Sequence, residues 1–150
     1  MNAEMRLSAN GLDAIMRMET FLSTWGLGKW GHAEIGYGHI KRQGDMVPDR
    51  LTKNEAKALL KDDCEIAAKN IRLYVKVALN QHQFDALVSL AFSLGQQKQS
   101  FAGCEVAKRL NDGDYAGAAR AFGIYINDGL VACEYLIARR RAERALFEGR

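Results

Sequence analysis

The chain has 150 residues, a formal net charge of +3 and 48% hydrophobic residues, with one proline and 14 glycines. A chain of this length buries roughly 68–70% of the surface that its unfolded form exposes, so it can fold as one globular domain without disulfides or a structural metal. The composition excludes collagen, coiled-coil arrays and intrinsic disorder. The positive charge is too small and too dispersed for a nucleic-acid partner, although it favours a polyanionic one.

The sequence shows no membrane span, no signal peptide and no metal-binding motif. No apolar run approaches the ~18–20 residues that a transmembrane helix needs, and the first residues lack the apolar core of a signal peptide. The three histidines lack the spacing of a metal site, and the three cysteines form no CxxC pair. We therefore expect a soluble protein without stable membrane insertion, with no metal, no cofactor and reduced, buried cysteines.

The first half of the chain combines helical and sheet-like patterns. Apolar spacing after Ser8 predicts a helix that runs to about Leu22. The segment 25–44 holds six glycines among short apolar residues, which predicts a small antiparallel sheet. Thr52 and Glu55 form a capping box, and the periodicity behind it predicts a long helix that ends near Leu73.

The second half of the chain has helical periodicity throughout. It predicts helices at 83–94, 101–111, 115–127 and 136–147, with glycines at the breaks between them. The prediction is a single α+β domain, 1–150, with two lobes. A β-containing lobe covers about 20–50, a linking helix about 52–73 and a helical lobe about 80–150. Such a layout places a cleft between the lobes.

Two glutamates border the predicted sheet, Glu19 at the end of the first helix and Glu34 within the sheet. Cleavage of a glycosidic bond uses one carboxylic acid to protonate the leaving oxygen and a second group to hold water or stabilise the cation. Glu19 and Glu34 fit that pair, although two surface acids would give the same pattern. The segment Gly36–Gly38 offers narrow backbone against which a sugar ring could lie, or forms a plain hairpin bend.

Several segments carry a resemblance to one family. Glu19 matches the glutamate of its signature, and Ile35-Gly36-Tyr37-Gly38-His39 matches the end of that signature. Similar blocks extend over nearly the whole chain, at 52–60, 79–95, 100–103 and 136–147. With these segments the sequence resembles the phage-type lysozymes of glycoside hydrolase family 24, which implies a two-lobed lysozyme-like fold.

The resemblance implies a muramidase that hydrolyses the β-1,4 bond between N-acetylmuramic acid and N-acetylglucosamine in peptidoglycan, with Glu19 as general acid. It implies two supporting contacts: His39 pairs with Asp63 on the long helix, and Arg139 lies against Glu19. Four residues are expected to contact the sugar, with core packing as the alternative for the last of them: Gly36, Tyr37, Gly38 and Phe101.

The sequence departs from the family signature at two positions. Gly28 stands where the family has aspartate or cysteine, and Glu34 stands where it has threonine. Three interpretations remain open: a muramidase in which Glu34 is base or nucleophile, a lytic transglycosylase in which Glu19 is both acid and base, and a degenerate wall-binding or scaffolding module. Glu34 could also be inert, paired with Lys29 or Arg139.

The resemblance also implies a biological setting. We expect a monomer that acts on bacterial peptidoglycan, in the periplasm or on the cell wall. Because no signal segment is visible, we expect it to stay in the host bacterial cytoplasm until release, with a holin-type partner opening the membrane.

Overall fold

A computed structural model describes all 150 residues, Met1–Arg150. It has an α+β fold, as predicted, with six helices and two small sheets. The elements in chain order are α1 (Ala9–Met18), β1 (Phe21–Leu27), β2 (Ala33–Tyr37), β3 (His39–Ile40), α2 (Lys53–Tyr74), α3 (Gln81–Gln96), α4 (Glu105–Asn111), α5 (Tyr115–Ala121), a 3₁₀ turn (Phe122–Ile124), β4 (Asn127–Asp128), β5 (Val131–Ala132) and α6 (Glu134–Phe147). None of these helices combines the length and the apolar character that crossing a membrane requires.

Strands β1, β2 and β3 form an antiparallel sheet in that order. Phe21 lies opposite Tyr37 and Gly26 lies opposite Glu34, and the register shifts between Leu22 and Gly26. A bulge of this kind re-aims the side chains that follow it. As a result Glu34 faces a residue without a side chain across the sheet.

Helix α1 ends at Met18, and the predicted extension to Leu22 is wrong. Glu19 already has extended backbone, with φ −101° and ψ 144°. Beyond it Phe21 joins β1 and packs against Tyr37, with ring centroids 5.3 Å apart. Cross-strand aromatic pairing therefore outweighs the helical pattern at this point. Glu19 consequently sits at the junction between helix and sheet.

The long helix α2 begins at the predicted capping box. The Thr52 hydroxyl accepts a hydrogen bond from the Glu55 amide at 3.1 Å, and the Glu55 carboxylate accepts one from the Thr52 amide at 2.9 Å. The helix packs on the sheet, where Ala56 lies against Gly36, and on α3. Helix α3 is buried over most of its length and forms the centre of the hydrophobic core.

Two predictions in the helical lobe are wrong in their boundaries. The helix expected at 101–111 begins only at Glu105, after a turn. The helix expected at 115–127 stops at Ala121 and is followed by the 3₁₀ turn and the β4–β5 hairpin. Gly129 closes this hairpin with a φ of +62°, a conformation that glycine adopts without steric cost.

All three cysteines are free, and Cys64 and Cys104 are buried as expected, whereas Cys133 is half-buried. Burial, with a further contribution from neighbouring Asp63, raises the pKa of the Cys64 thiol to about 12. Because the thiolate is the reactive form, Cys64 is chemically inert at neutral pH.

Candidate active site

Glu19 is held at the junction of the two lobes by residues of α6 and α3. Arg139 Nη1 donates a hydrogen bond to Glu19 Oε1 at 2.6 Å, and Gln96 Nε2 donates one to Oε2 at 3.4 Å. Gln96 also donates to the Gly38 carbonyl oxygen at 3.3 Å. The Glu19 side chain is 8% exposed. Its orientation is therefore fixed while one edge remains open to the cleft.

Behind Glu19 lies a buried chain of alternating charges. Arg139 Nε contacts Glu143 Oε2 at 3.1 Å, and Arg140 Nη1 contacts Glu143 Oε1 at 2.6 Å. Arg139 Nη1 also donates to the Tyr135 hydroxyl at 2.9 Å. Burial acts to lower the pKa of Arg139, but Glu19 and Glu143 outweigh it and hold that pKa above its usual range. Arg139 is thus a permanent cation against Glu19, at the position that the resemblance implied.

Glu34 is buried without a partner. It is 8% exposed, and its carboxylate makes neither a salt bridge nor a side-chain hydrogen bond. Burial and the neighbouring Glu19 raise the pKa of Glu34, and Lys29 opposes the shift. The ion pair with Lys29 or Arg139 that would have made Glu34 inert is absent from the structure.

The carboxylate of Glu34 occupies the space of a side chain at position 28. A Cβ placed on Gly28 would lie 2.0 Å from Glu34 Cδ and 2.2 and 2.3 Å from its two oxygens. Gly28 is not among the residues with positive φ, so its backbone would accept a side chain if that space were free. The two departures from the family signature therefore meet at one point, which sequence reasoning did not reveal.

The two carboxylates share a small cavity of about 120 Å³ between the lobes. Gln96 also borders a larger groove of about 320 Å³ that runs between the sheet, α2 and α3. Gln96, whose side chain contacts Glu19, therefore lines both spaces. The lining of the small cavity comprises Glu19, Thr20, Leu22, Leu27, Gly28, Lys29, Trp30, Glu34, Gln96 and Tyr135.

Gly38 lines the larger groove and lies against Glu19. A Cβ on Gly38 would lie 2.4 Å from Gln96 Nε2 and 2.7 Å from Glu19 Oε2, and the residue has a φ of +80°. Both observations require glycine, since a side chain would displace the carboxylate of Glu19.

The other three residues expected to contact sugar face the interior instead. A Cβ on Gly36 would meet Ala56 of α2 at 3.2 Å. Tyr37 is 9% exposed and Phe101 is 3% exposed, and both belong to the hydrophobic core. These three residues pack between the sheet and the helices, and contact of sugar with Gly36, Tyr37 and Phe101 stays a prediction.

His39 forms a buried pair with Asp63, as the resemblance implied, and a second pair that sequence reasoning missed. His39 Nδ1 lies 2.8 Å from Asp63 Oδ2, and Nε2 lies 2.9 Å from Asp45 Oδ2. An ionised carboxylate only accepts hydrogen bonds, so the protonated ring, in which both nitrogens donate, satisfies both aspartates. Burial acts to lower the pKa of His39, but the two aspartates outweigh it and raise that pKa above 6.5. This cluster ties β3 to α2.

The raised pKa of His39 makes stability depend on pH. Its contribution is fully present below the unfolded-state value of 6.5 and is lost as the pH rises through the higher folded-state pKa. We expect the melting temperature of His39→Gln to lack the fall that wild type shows above about pH 6.5. Exposed His82 supplies the control: His82→Gln should keep the wild-type profile. Parallel profiles for wild type and His39→Gln would contradict the assignment.

Comparison with known proteins agrees with this architecture. Residues 17–143 match the family model described as phage lysozyme. The chain is 38% identical to the endolysin of Salmonella phage P22, over 95% of this chain and 98% of the relative. It is 34% identical to the endolysin of Acyrthosiphon pisum secondary endosymbiont phage 1, over 96% and 99%.

The fold is also similar to those of solved lysozyme structures. The muramidase domain of SpmX from Asticaccaulis excentricus superposes with a TM-score of 0.82 at 31% identity, covering 95% of this chain and 97% of that one. A mutant of P22 lysozyme superposes with a TM-score of 0.81 at 36% identity, covering 96% and 99%. By sequence and by structure, this chain belongs to the phage lysozyme family.

Proposed function

We propose that the chain is a peptidoglycan-degrading muramidase, a glycosidase of family 24 type, that uses two glutamates. Glu19 donates a proton to the leaving oxygen of the β-1,4 bond between N-acetylmuramic acid and N-acetylglucosamine. Glu34 activates the attacking water or attacks the anomeric carbon itself. The observation that carries this proposal is the position of the Glu34 carboxylate, which fills the space of the side chain that Gly28 lacks.

The surroundings of Glu34 suit a base or nucleophile. Such a group needs a free lone pair aimed at the reacting centre, and a carboxylate tied up in an ion pair cannot provide one. Glu34 has no ion pair, lines the cavity that also contains Glu19, and stands on a strand rather than on a mobile loop. A rigid support of this kind keeps catalytic groups in register.

The contacts of Glu19 fix the position of its carboxyl and stabilise the carboxylate that remains after proton donation. Arg139 and Gln96 each bind one of its oxygens, and Gly38 leaves the space in front of it open. Glycoside hydrolysis requires Glu19 to hold a proton and Glu34 to be ionised when the glycosidic bond breaks.

The roles of the two carboxyls can be separated by the pH profile of Lys29→Met. Lys29 acts to lower the pKa of Glu34, so its removal raises that pKa further. A base is lost when it is protonated, so we expect the acidic limb of the kcat profile to move to higher pH. Lys108→Met, on the exposed side of α4, should leave the profile unchanged. Movement of the alkaline limb alone would contradict the assignment of Glu34 as base.

The proposed activity is tested by digesting purified sacculi and analysing the fragments. We expect wild type to release muropeptides with reducing ends and Glu19→Gln to release almost none. Glu4→Gln, a change at an exposed glutamate, serves as the matched control and should remain active. Anhydro ends would show a lytic transglycosylase instead. Sacculus binding by wild type without release above the Glu19→Gln level would show the degenerate binding module, and either result would overturn the proposal.

We also propose where the reaction takes place. The chain acts as a monomer on bacterial peptidoglycan, in the periplasm or on the cell wall. It stays in the host cytoplasm until a holin-type partner opens the membrane. Gel filtration and fractionation of expressing cells, with and without a holin, test these points.

A further inference from the structure

Tyr135 stands on α6 and lines the small cavity that contains the two carboxylates. Its hydroxyl donates a hydrogen bond to the Met18 carbonyl oxygen at 2.8 Å and accepts one from Arg139 Nη1 at 2.9 Å. Met18 is the last residue of α1, where carbonyl groups have no partner within the helix. Because Glu19 follows Met18 directly, the Tyr135 hydroxyl holds the backbone from which the Glu19 side chain extends.

The same hydroxyl completes the set of acceptors around the guanidinium of Arg139. Arg139 Nη1 donates to Tyr135 and to Glu19, and Nε donates to Glu143. Nη2 donates to the carbonyl and hydroxyl oxygens of Ser89, both at 3.3 Å. A guanidinium carries five N–H donors in a rigid plane, so acceptors on all three nitrogens fix its orientation. Loss of the Tyr135 hydroxyl would therefore loosen the group that binds Glu19.

The ring of Tyr135 meets the loop that joins β1 to β2 on the opposite lobe. Lys29 Nζ lies 4.5 Å from the centroid of this ring, within the range of a cation–π contact, and also contacts the Thr20 hydroxyl at 3.3 Å. The Trp30 ring packs beside the Tyr135 ring, with centroids 6.3 Å apart and planes tilted by 55°. Lys29 forms no salt bridge, and it is the one basic residue that lines the cavity with Glu34.

We propose that Tyr135 is a positioning residue for both reacting carboxyls. Its hydroxyl orients Glu19 through Arg139 and the end of α1, and its ring keeps Lys29 beside Glu34. This inference rests on the proposed function, because it takes Glu19 and Glu34 as the groups that react. Since the hydroxyl and the ring act on different carboxyls, substitutions can separate the two effects.

Tyr135→Phe removes the hydroxyl and keeps the ring. We expect its kcat for release of reducing ends from sacculi to fall by about 10–10²-fold, as for a small displacement of a reacting group, with KM unchanged. Rates are compared at a temperature at which circular dichroism shows every variant folded, so that a loss of stability alone does not lower kcat.

Tyr115→Phe is the matched control for the hydroxyl. The Tyr115 hydroxyl also donates to a backbone carbonyl, that of Ala78, at 2.7 Å, but Tyr115 lines neither space beside Glu19. Its kcat should equal that of wild type. A kcat of Tyr135→Phe less than about tenfold below this control would overturn the inference.

Tyr135→Leu removes the ring as well and so releases Lys29. The titratable side chains that line the cavity with Glu34 are Glu19, Lys29 and Tyr135. Burial first and then Glu19 raise the pKa of Glu34, and Lys29 opposes the shift. Release of Lys29 therefore raises the pKa of Glu34 further, which moves the acidic limb of the kcat profile to higher pH.

We expect this movement in Tyr135→Leu, in the same direction as in Lys29→Met, but not in Tyr135→Phe. Once Lys29 is replaced by methionine, the further change Tyr135→Leu should move the limb no further, because both substitutions act through one contact. Acidic limbs at the same pH in Tyr135→Phe and Tyr135→Leu would overturn the role of the ring.

The inference and the proposed function fail in different ways. Inactive wild type would overturn the function and the inference together. An acidic limb that does not move in Lys29→Met would overturn the assignment of Glu34 as base. Active wild type with an undiminished kcat in Tyr135→Phe would overturn only the inference.

Discussion

Glu34→Gln is expected to lower kcat for peptidoglycan hydrolysis by about 10²–10⁴-fold, the range in which a general base contributes. The amide is nearly isosteric with the carboxylate, so the cavity beside Glu19 keeps its shape. It can neither accept a proton from water nor form a glycosyl ester. The loss should therefore appear in kcat, with little change in binding to sacculi, when initial rates of reducing-end release are measured.

The same variant should not lose stability. The pKa of Glu34 is raised in the folded protein, first by burial and then by Glu19, so its ionisation opposes folding at neutral pH. Replacing it with glutamine removes that opposing effect, and we expect an equal or higher melting temperature at pH 7. Lower activity with unchanged or higher stability is typical of a residue kept for function. A rate within a few-fold of the Glu4→Gln control would refute a catalytic role for Glu34.

Arg139→Met is expected to destabilise the fold by about 3–5 kcal/mol, because it breaks a buried ion pair by removing one partner. Arg139 is fully buried, and its guanidinium binds Glu19 and Glu143. The variant leaves those carboxylates without their shared cation while keeping most of the side-chain volume. For a domain of this size the expected fall in melting temperature is about 6–20 °C. Thermal unfolding followed by circular dichroism measures it.

Arg144 provides the matched control on the same helix. It is half-buried and pairs with Glu148 at the surface, where ion pairs add little. Arg144→Met should therefore melt close to wild type. If Arg139→Met and Arg144→Met melted at the same temperature, the buried charge chain would not contribute to stability as described.

Local signals predicted the parts of the fold that depend on neighbouring residues. The capping box at Thr52 and Glu55 marks the start of α2 correctly, because its two hydrogen bonds join residues three positions apart. The helical spacing of α3 and α6 was likewise visible in the sequence. The local pattern gave a wrong prediction where a contact between distant residues decides the structure: Phe21 follows a helical pattern but pairs with Tyr37 across the sheet.

The sequence predicted the candidate site only in part, for the same reason. The sequence alone revealed that a carboxylate is absent at Gly28 and present at Glu34. It did not reveal that the Glu34 carboxylate fills the space of the side chain missing at Gly28. That arrangement depends on the bulge in β1 and on the pairing of Gly26 with Glu34. The unpaired state of Glu34 and the inward orientation of Gly36 also depend on how the sheet packs against α2, which no local pattern encodes.

The most direct test of the central claim exchanges the two positions. Gly28→Asp alone should be impaired, because its side chain overlaps the Glu34 carboxylate, and Glu34→Thr alone should lose its catalytic carboxylate. The double variant Gly28→Asp/Glu34→Thr restores a carboxylate to the same space from the residue that follows β1. We expect it to release reducing ends from sacculi at least about tenfold faster than Glu34→Thr, a coupling of more than about 1.4 kcal/mol between adjacent residues. A double variant no faster than Glu34→Thr would contradict the claim that a carboxylate in the space beside Gly28 takes part in catalysis.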